Sequence, residues 1–392
     1  APAPAATAAP ASATVAAAAD AGPLVIGVLL PYTESAIDGD IGASQRRAAD
    51  LYLKLHGGKL GGRDARLVWN DESALDPATN QVRVKQFLDK DHAQLLLGGA
   101  GGAAAQLLRD TAEAQKLVYL DTNSTARFSK SAYAFHVAPT AWQLSEPLGE
   151  WAAKNRAKEF YAAYADEASG AEAAAAFAEG LAKNGGRLTA KAAVPAKSAD
   201  WTKVVAAIKA QPTKDVFAAF YTEDAAGLIG AWSNADLRGA GYRLYGPGSL
   251  ADYEVLKVTK EAALGTVTSY PWSVDAAGTD NSSLINAFKG AYKDEDTGQP
   301  LVPDGYAVEM WDALLALDTA LAVTKGDATA AALVPALEGA SFMTPAGPAA
   351  VDKATHTLVT DVYIREVRTS GGGNGLLSVS TDRVSAVRDP GN

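Results

Sequence analysis

The stretch 95–106, LLLGGAGGAAAQ, constrains this chain more than any other. An apolar run that breaks into glycines and continues as a helix gathers bare backbone N–H groups and a helix amino terminus at one point, a cradle of anion size. The helix-like run 107–115 leads to a second apolar run, 117–120, which ends in Asp121, Thr122, Asn123, Ser124 and Thr125. In an open parallel sheet the carboxyl ends of neighbouring strands line a common crevice. Ala100, Gly101, Gly102 and Ala103 would then face Asn123, Ser124 and Thr125 across a small-ligand site without catalytic chemistry. Glycine and serine turns of this kind also join strands to helices with no ligand at all, so the reading rests on the rest of the chain.

That rest repeats one rhythm. Residues 23–30 form an apolar strand stopped by Pro31 and Tyr32, 39–42 a loop, 45–55 a helix and 65–69 a second strand. A helix at 77–90 feeds the central stretch, and 133–140 and 142–154 read as strand and helix. From 159 the pattern starts again, with strands at 159–164, 188–194, 216–221, 244–245 and 264–270. Ser169 and Gly170 read as a turn, and Asp200 as the N-cap of a helix to 209. Helices at 283–293 and 305–323 follow, and 355–367 alternates at period two, as a hairpin or edge strand does. The expected fold class is α/β, with two doubly wound parallel-sheet lobes joined by a three-crossing hinge. The expected boundaries are a disordered Ala/Pro-rich tether over 1–22, an N-terminal lobe of 23–140 plus 273–352, and a C-terminal lobe of 141–272 plus 353–392.

Composition narrows the function. A net charge of −10 with Lys and Arg scattered singly disfavours nucleic acid or an anionic membrane as partner. The absence of cysteine excludes disulfides, thiolate zinc sites and thiol catalysis. The four histidines, 56, 92, 136 and 356, share no ligand-like spacing. No run approaches the ~18 apolar residues of a membrane span. The uncharged start, without an initiating Met, reads as the product of signal-peptide removal. Glu34, Asp71, Glu72 and Asp166 lie near strand ends as acid/base candidates, yet no nucleophile elbow, Walker loop or ordered dinucleotide fingerprint accompanies them.

The order of elements resembles the type I periplasmic binding proteins, and specifically the leucine/isoleucine/valine-binding receptors of ABC transporters. The likeness is carried by 26–31 (IGVLLP), 70–77, 97–102 with Gln106, 200–202 (DWT) and 245–248 (YGPG), and spans 24 to about 367. It implies an extracytoplasmic, monomeric receptor, tethered through its N-terminal segment in one version, that closes on a small carboxylate and delivers it to a membrane permease. No catalytic residue, metal or cofactor is implied. In the family a serine and backbone N–H groups hold the ligand's carboxylate; the serine's counterpart is Gly102, while Thr125 matches the family threonine. The family's ammonium-binding glutamate is replaced by Gly248, which implies a roomier pocket. An amino-acid ligand then needs another anion, Glu223 or Asp252, because an unpaired buried ammonium is costly. Without one, an aromatic or 2-oxo carboxylate is the expected ligand. Tyr32, Tyr164, Tyr221, Tyr245, Tyr270 and Trp272 are candidate aromatic walls; Ser169 replaces another family aromatic, and Thr222 neighbours Glu223. A ligand-sensing receptor of the same fold is the alternative, and an enzyme a distant third. Thr125→Val should weaken ligand binding by about 1–3 kcal/mol through loss of one hydrogen bond to a charged group, measured by calorimetry; an unchanged dissociation constant removes Thr125 from the site.

Overall fold

The computed structural model describes residues 22–33, 36–73, 76–123, 126–127, 131–197, 200–294, 297–369 and 375–391, with backbone alone at 36–39. The first sheet is built from β1 (Leu24–Leu30), β2 (Lys59–Leu60), β3 (Arg63–Asp71), β4 (Leu95–Gly98), β5 (Val118–Asp121) and β6 (Ala134–His136). Its order is β2-β3-β1-β4-β5-β6, parallel except for the β2-β3 pair. The helices between these strands are α1 (Ala36–Leu55), α2 (Pro77–Asp89) and α3 (Gly102–Gln115). β1 shows why the apolar run is continuous. Leu24, Ile26 and Val28 enter one core, Val25 and Leu29 the other, so helices cover both faces. Because β3 and β4 lie on opposite sides of β1, the order reverses there and opens a crevice beyond the carboxyl ends of β1 and β4.

The second sheet follows α4 (Ala141–Asn155) and begins with the parallel strands β7 (Glu159–Ala165), β8 (Arg187–Val194), β9 (Asp215–Ala219), β10 (Arg243–Pro247) and β11 (Val267–Tyr270). Their connecting helices are α5 (Ala168–Lys183), α6 (Trp201–Lys209), α7 (Thr222–Asn234) and α8 (Tyr253–Thr259). The chain then passes through α9 (Thr279–Ala291), α10 (Gly305–Thr324) and α11 (Ala330–Glu338). Leu314, Leu317 and Leu321 of α10 share a core with β1 and β4. The sheet is completed antiparallel by β12 (Ser341–Thr344), β13 (Gly347–Val351), β14 (Leu358–Thr369) and β15 (Leu376–Val387). A bridge between His136 and Thr357 joins the end of the first sheet to the entry of β14.

Three expectations are corrected. The second sheet is mixed, and β14 is a hairpin strand, as one of the two readings of 355–367 had it, but not an edge: it pairs with β11 as well as with β13 and β15. The stretch 39–42, with Gly39 and Gly42 at its ends, and the pair Ser169–Gly170 lie in helices, not in loops. Gly42 and Gly170 are there because a Cβ would stand 2.0 Å from the Pro31 carbonyl oxygen and 2.3 Å from that of Ala165; each lets a helix start against a strand end. Residues 1–21, Glu34, Ser124 and Thr125 lie outside the described residues.

In the second lobe, Phe177 stacks on Phe217 at 4.2 Å between ring centroids and meets Phe160 edge-on at 5.3 Å, all three fully buried. Phe177→Ala should lower the unfolding free energy by about 3–5 kcal/mol in urea denaturation. A loss below about 1 kcal/mol would mean that the cluster is not a closed core.

Candidate functional site

The glycine turn is shaped by close backbone approach. Gly98 and Gly99 adopt φ of +107° and +86°, and a Cβ on Gly98 would lie 2.2 Å from the carbonyl oxygen of Leu29. The cradle this creates is already filled. The buried carboxylate of Glu72 accepts hydrogen bonds from the N–H groups of Ala100 at 2.8 Å and Gly101 at 2.7 Å. Those two donors therefore do not stand open for a ligand. The amides of Gly102 and Ala103, exposed at the start of α3, have no partner among the described residues.

Asp71 and Glu72, two of the four acid/base candidates, are both occupied by local donors: Asp71 accepts from the Tyr32 N–H at 2.6 Å and from the Thr33 hydroxyl. The ring of Tyr32 meets Trp69 edge-on at 6.2 Å. Asn123 is buried and accepts from the Gln45 amide at 2.9 Å. The Ser169 side chain hydrogen-bonds Tyr221, whose hydroxyl burial pushes above the usual tyrosine range. Thr222 opens α7 at φ +48°, an outlier for a β-branched residue. Glu223 beside it is exposed, as expected of an acidic side chain in a first helical turn and not of a buried ammonium partner. Tyr245 is fully buried core, with its hydroxyl donating to Asp215 at 3.0 Å, and half-buried Tyr164 packs against the same core.

One large cavity, of about 1280 Å³, lies between the lobes. Asn123, Tyr221, Tyr270 and Trp272 line it, as does Asp252, and they are joined by Tyr253, Asp304, Tyr306 and Arg365. Tyr32, Ala100, Gly101, Gly102, Ala103, Ser169, Thr222, Glu223 and Gly248 are not on its wall. Gly248 does not enlarge the pocket as expected. A Cβ there would stand 2.2 Å from Cδ2 of Tyr270 and 3.0 Å from Nη2 of Arg365, so that ring and guanidinium fill the space a longer side chain would take.

Tyr270 donates its hydroxyl to buried Glu309, and Trp272 donates its indole N–H to Asn281 at 2.8 Å. Asp252 caps α8 by accepting from the Val255 N–H at 3.1 Å. Burial pushes its carboxyl up to about 6 against the pull of a Tyr306 hydrogen bond, the Val255 N–H and the Arg365 charge. Asp304 caps α10 and accepts from Ser44 at 2.6 Å; burial raises it too. Arg365 and Tyr306 escaped sequence reading, although an arginine at an inward position of the period-two run 358–367 is the kind of buried charge that marks a site. Among the described residues no group of three or more His, Asp or Glu is placed to hold a metal ion.

Lys257 of α8 reaches Glu254 of its own helix at 3.3 Å and, across the lobes, Asp40 of α1 at 3.8 Å. Burial pushes the Glu254 carboxyl up, and a hydrogen bond with Asp40 and the charges of Asp304 and Asp40 add to this; the single ammonium offsets only part. Such a carboxyl keeps a proton that the unfolded chain, titrating near 4.5, has released. Its contribution is therefore full below that pH and is lost as pH rises. Glu254→Gln should flatten the decline in stability between pH 5 and 8 in urea denaturation; an identical slope in both proteins would contradict this.

Comparison with known proteins agrees with this architecture. A family model described as periplasmic binding protein matches residues 23–373. The Leu/Ile/Val-binding protein homolog 6 of Brucella suis biovar 1 (strain 1330) is 24% identical over 335 residues, covering 85% of each chain. A solute-binding protein of an ABC transporter from Rhodopseudomonas palustris BisB5, solved with 3,4-dihydroxybenzoic acid, is 26% identical, with a TM-score of 0.84 over 94% of this chain and 99% of that one. A second R. palustris solute-binding protein, solved with benzoate, is also 26% identical, with a TM-score of 0.83 over 94% and 98%. The chain belongs to the periplasmic binding protein family, whose members are solute-binding proteins and not enzymes.

Proposed function

We propose that this chain is the extracytoplasmic receptor of an ABC transporter and closes on a small aromatic carboxylate, which it delivers unaltered to a membrane permease. The observation that carries the reading is the inter-lobe cavity, walled by Tyr221, Tyr253, Tyr270, Trp272 and Tyr306. Flat aromatic walls suit a flat apolar ligand. The site where a glutamate would receive an ammonium is a glycine covered by Tyr270. The two relatives solved with benzoate and 3,4-dihydroxybenzoic acid support the same class. Asn123 and the first-lobe segment of Ser124 and Thr125 would contact the ligand from one side, and Asp252 and Tyr306 from the other. The moving units would be 23–140 plus 273–352 and 141–272 plus 353–392, acting as a monomer, with the start of the chain as tether.

Calorimetry with benzoate, 4-hydroxybenzoate, phenylpyruvate and leucine tests this. At least one aromatic acid should bind one-to-one and more tightly than leucine. Leucine binding tighter than every aromatic acid would move the ligand class to amino acids, and binding by none would reject the reading.

A further inference from the structure

We propose that Arg365, on β14 of the second lobe, receives the carboxylate of the ligand, in place of the glycine turn of the first lobe. Arg365 lines the cavity and is only 5% exposed. One of its nitrogens is committed: Nη1 donates to the Trp272 carbonyl at 3.2 Å. Its guanidinium carbon lies 4.7 Å from the ring centroid of Tyr270, so the plane is held from below. Nε and Nη2 have no hydrogen-bond partner among the described residues. These two nitrogens share one edge of the guanidinium, the edge on which a carboxylate makes two parallel hydrogen bonds. Buried charged donors left unpaired are costly, and a ligand carboxylate removes that cost.

The neighbouring acids do not supply the missing partner. Asp252 and Asp275 are close enough to act on the charge, but Asp252 bonds Val255 and Tyr306, and Asp275 bonds Ser273 and Ser380. Gly248 lets the guanidinium pack where it does, since a Cβ there would stand 3.0 Å from Nη2. Burial draws the guanidinium down to about 10, which leaves it charged at neutral pH. The other cations on the wall, Lys257, Lys260 and Lys289, are exposed, where pairing is worth little. At the glycine turn, Glu72 already holds two of the donors.

The inference rests on the function proposed above and names the ligand class more narrowly: a compact monocarboxylate with an apolar ring and no ammonium beside the acid. Calorimetry on the full chain with benzoate and its neutral counterpart benzamide tests it, using Arg365→Gln and Arg365→Lys checked by circular dichroism. Arg365→Gln should weaken benzoate about 100-fold and benzamide less than about threefold, with Arg365→Lys between. An unchanged benzoate-to-benzamide ratio would overturn the assignment while leaving the receptor function standing. Should the variants misfold, a crystal structure of the unaltered chain with benzoate decides. Both carboxylate oxygens about 3 Å from Nε and Nη2 support it, and a carboxylate on the amides of Gly102 and Ala103 overturns it. Failure of the unaltered chain to bind any acid of the panel sinks the receptor reading and this inference together.

Discussion

The ring of Tyr270 is the constraint on which the inter-lobe region depends. It ends β11, the strand where the second sheet changes from parallel to antiparallel pairing. Its ring is wedged between Gly248 and Gly305, where added Cβ atoms would stand 2.2 and 2.5 Å from ring carbons. Its hydroxyl reaches Glu309 on α10, the helix that packs on the first sheet, and its face carries Arg365. One side chain thus ties the strand ends of one lobe to the long helix of the other. Two glycines are required because the backbone must come within van der Waals distance of an aromatic face.

The same crowding explains the electrostatics of the cavity. Carboxylates near the strand ends are occupied by local donors: Glu72 and Asp71 by loop amides, Asp252 and Asp304 by the first turns of helices. Acids committed in this way hold geometry and are poor general bases, which fits a receptor that binds without altering its ligand. Within a chain of net charge −10, a buried arginine is therefore an informative charge. Its burial is tolerated through one carbonyl bond and an aromatic face, while its Nε and Nη2 are left without a hydrogen-bond partner among the described residues.

Much of the fold was legible because its strands are buried on both faces, and a two-sided strand such as β1 must be apolar at every position. Of the antiparallel end only β14 was legible, from the period-two run 355–367. β15 alternates weakly and is half-buried to exposed, and β12 and β13 are too short to show a period. Glycines misled where they serve close packing: Gly42 and Gly170 read as turns but permit helices to begin against strands. At the site, sequence could nominate Asn123, Tyr221, Tyr270 and Trp272, which lie at strand ends. It could not show that Glu72, adjacent to nothing in the chain near residue 100, fills the glycine cradle. Nor could it show that Tyr270 fills the space beside Gly248, since both contacts arise only when distant strands are brought together.

Hydrogen–deuterium exchange of the unaltered chain, with and without the tightest-binding aromatic acid, tests the central claim most directly: that the cavity around Tyr270 is where the ligand is held. Protection should rise together in 249–260, 300–306 and 363–366, the segments that face the cavity from both lobes. Protection confined to 99–103, or no change anywhere, would contradict the account.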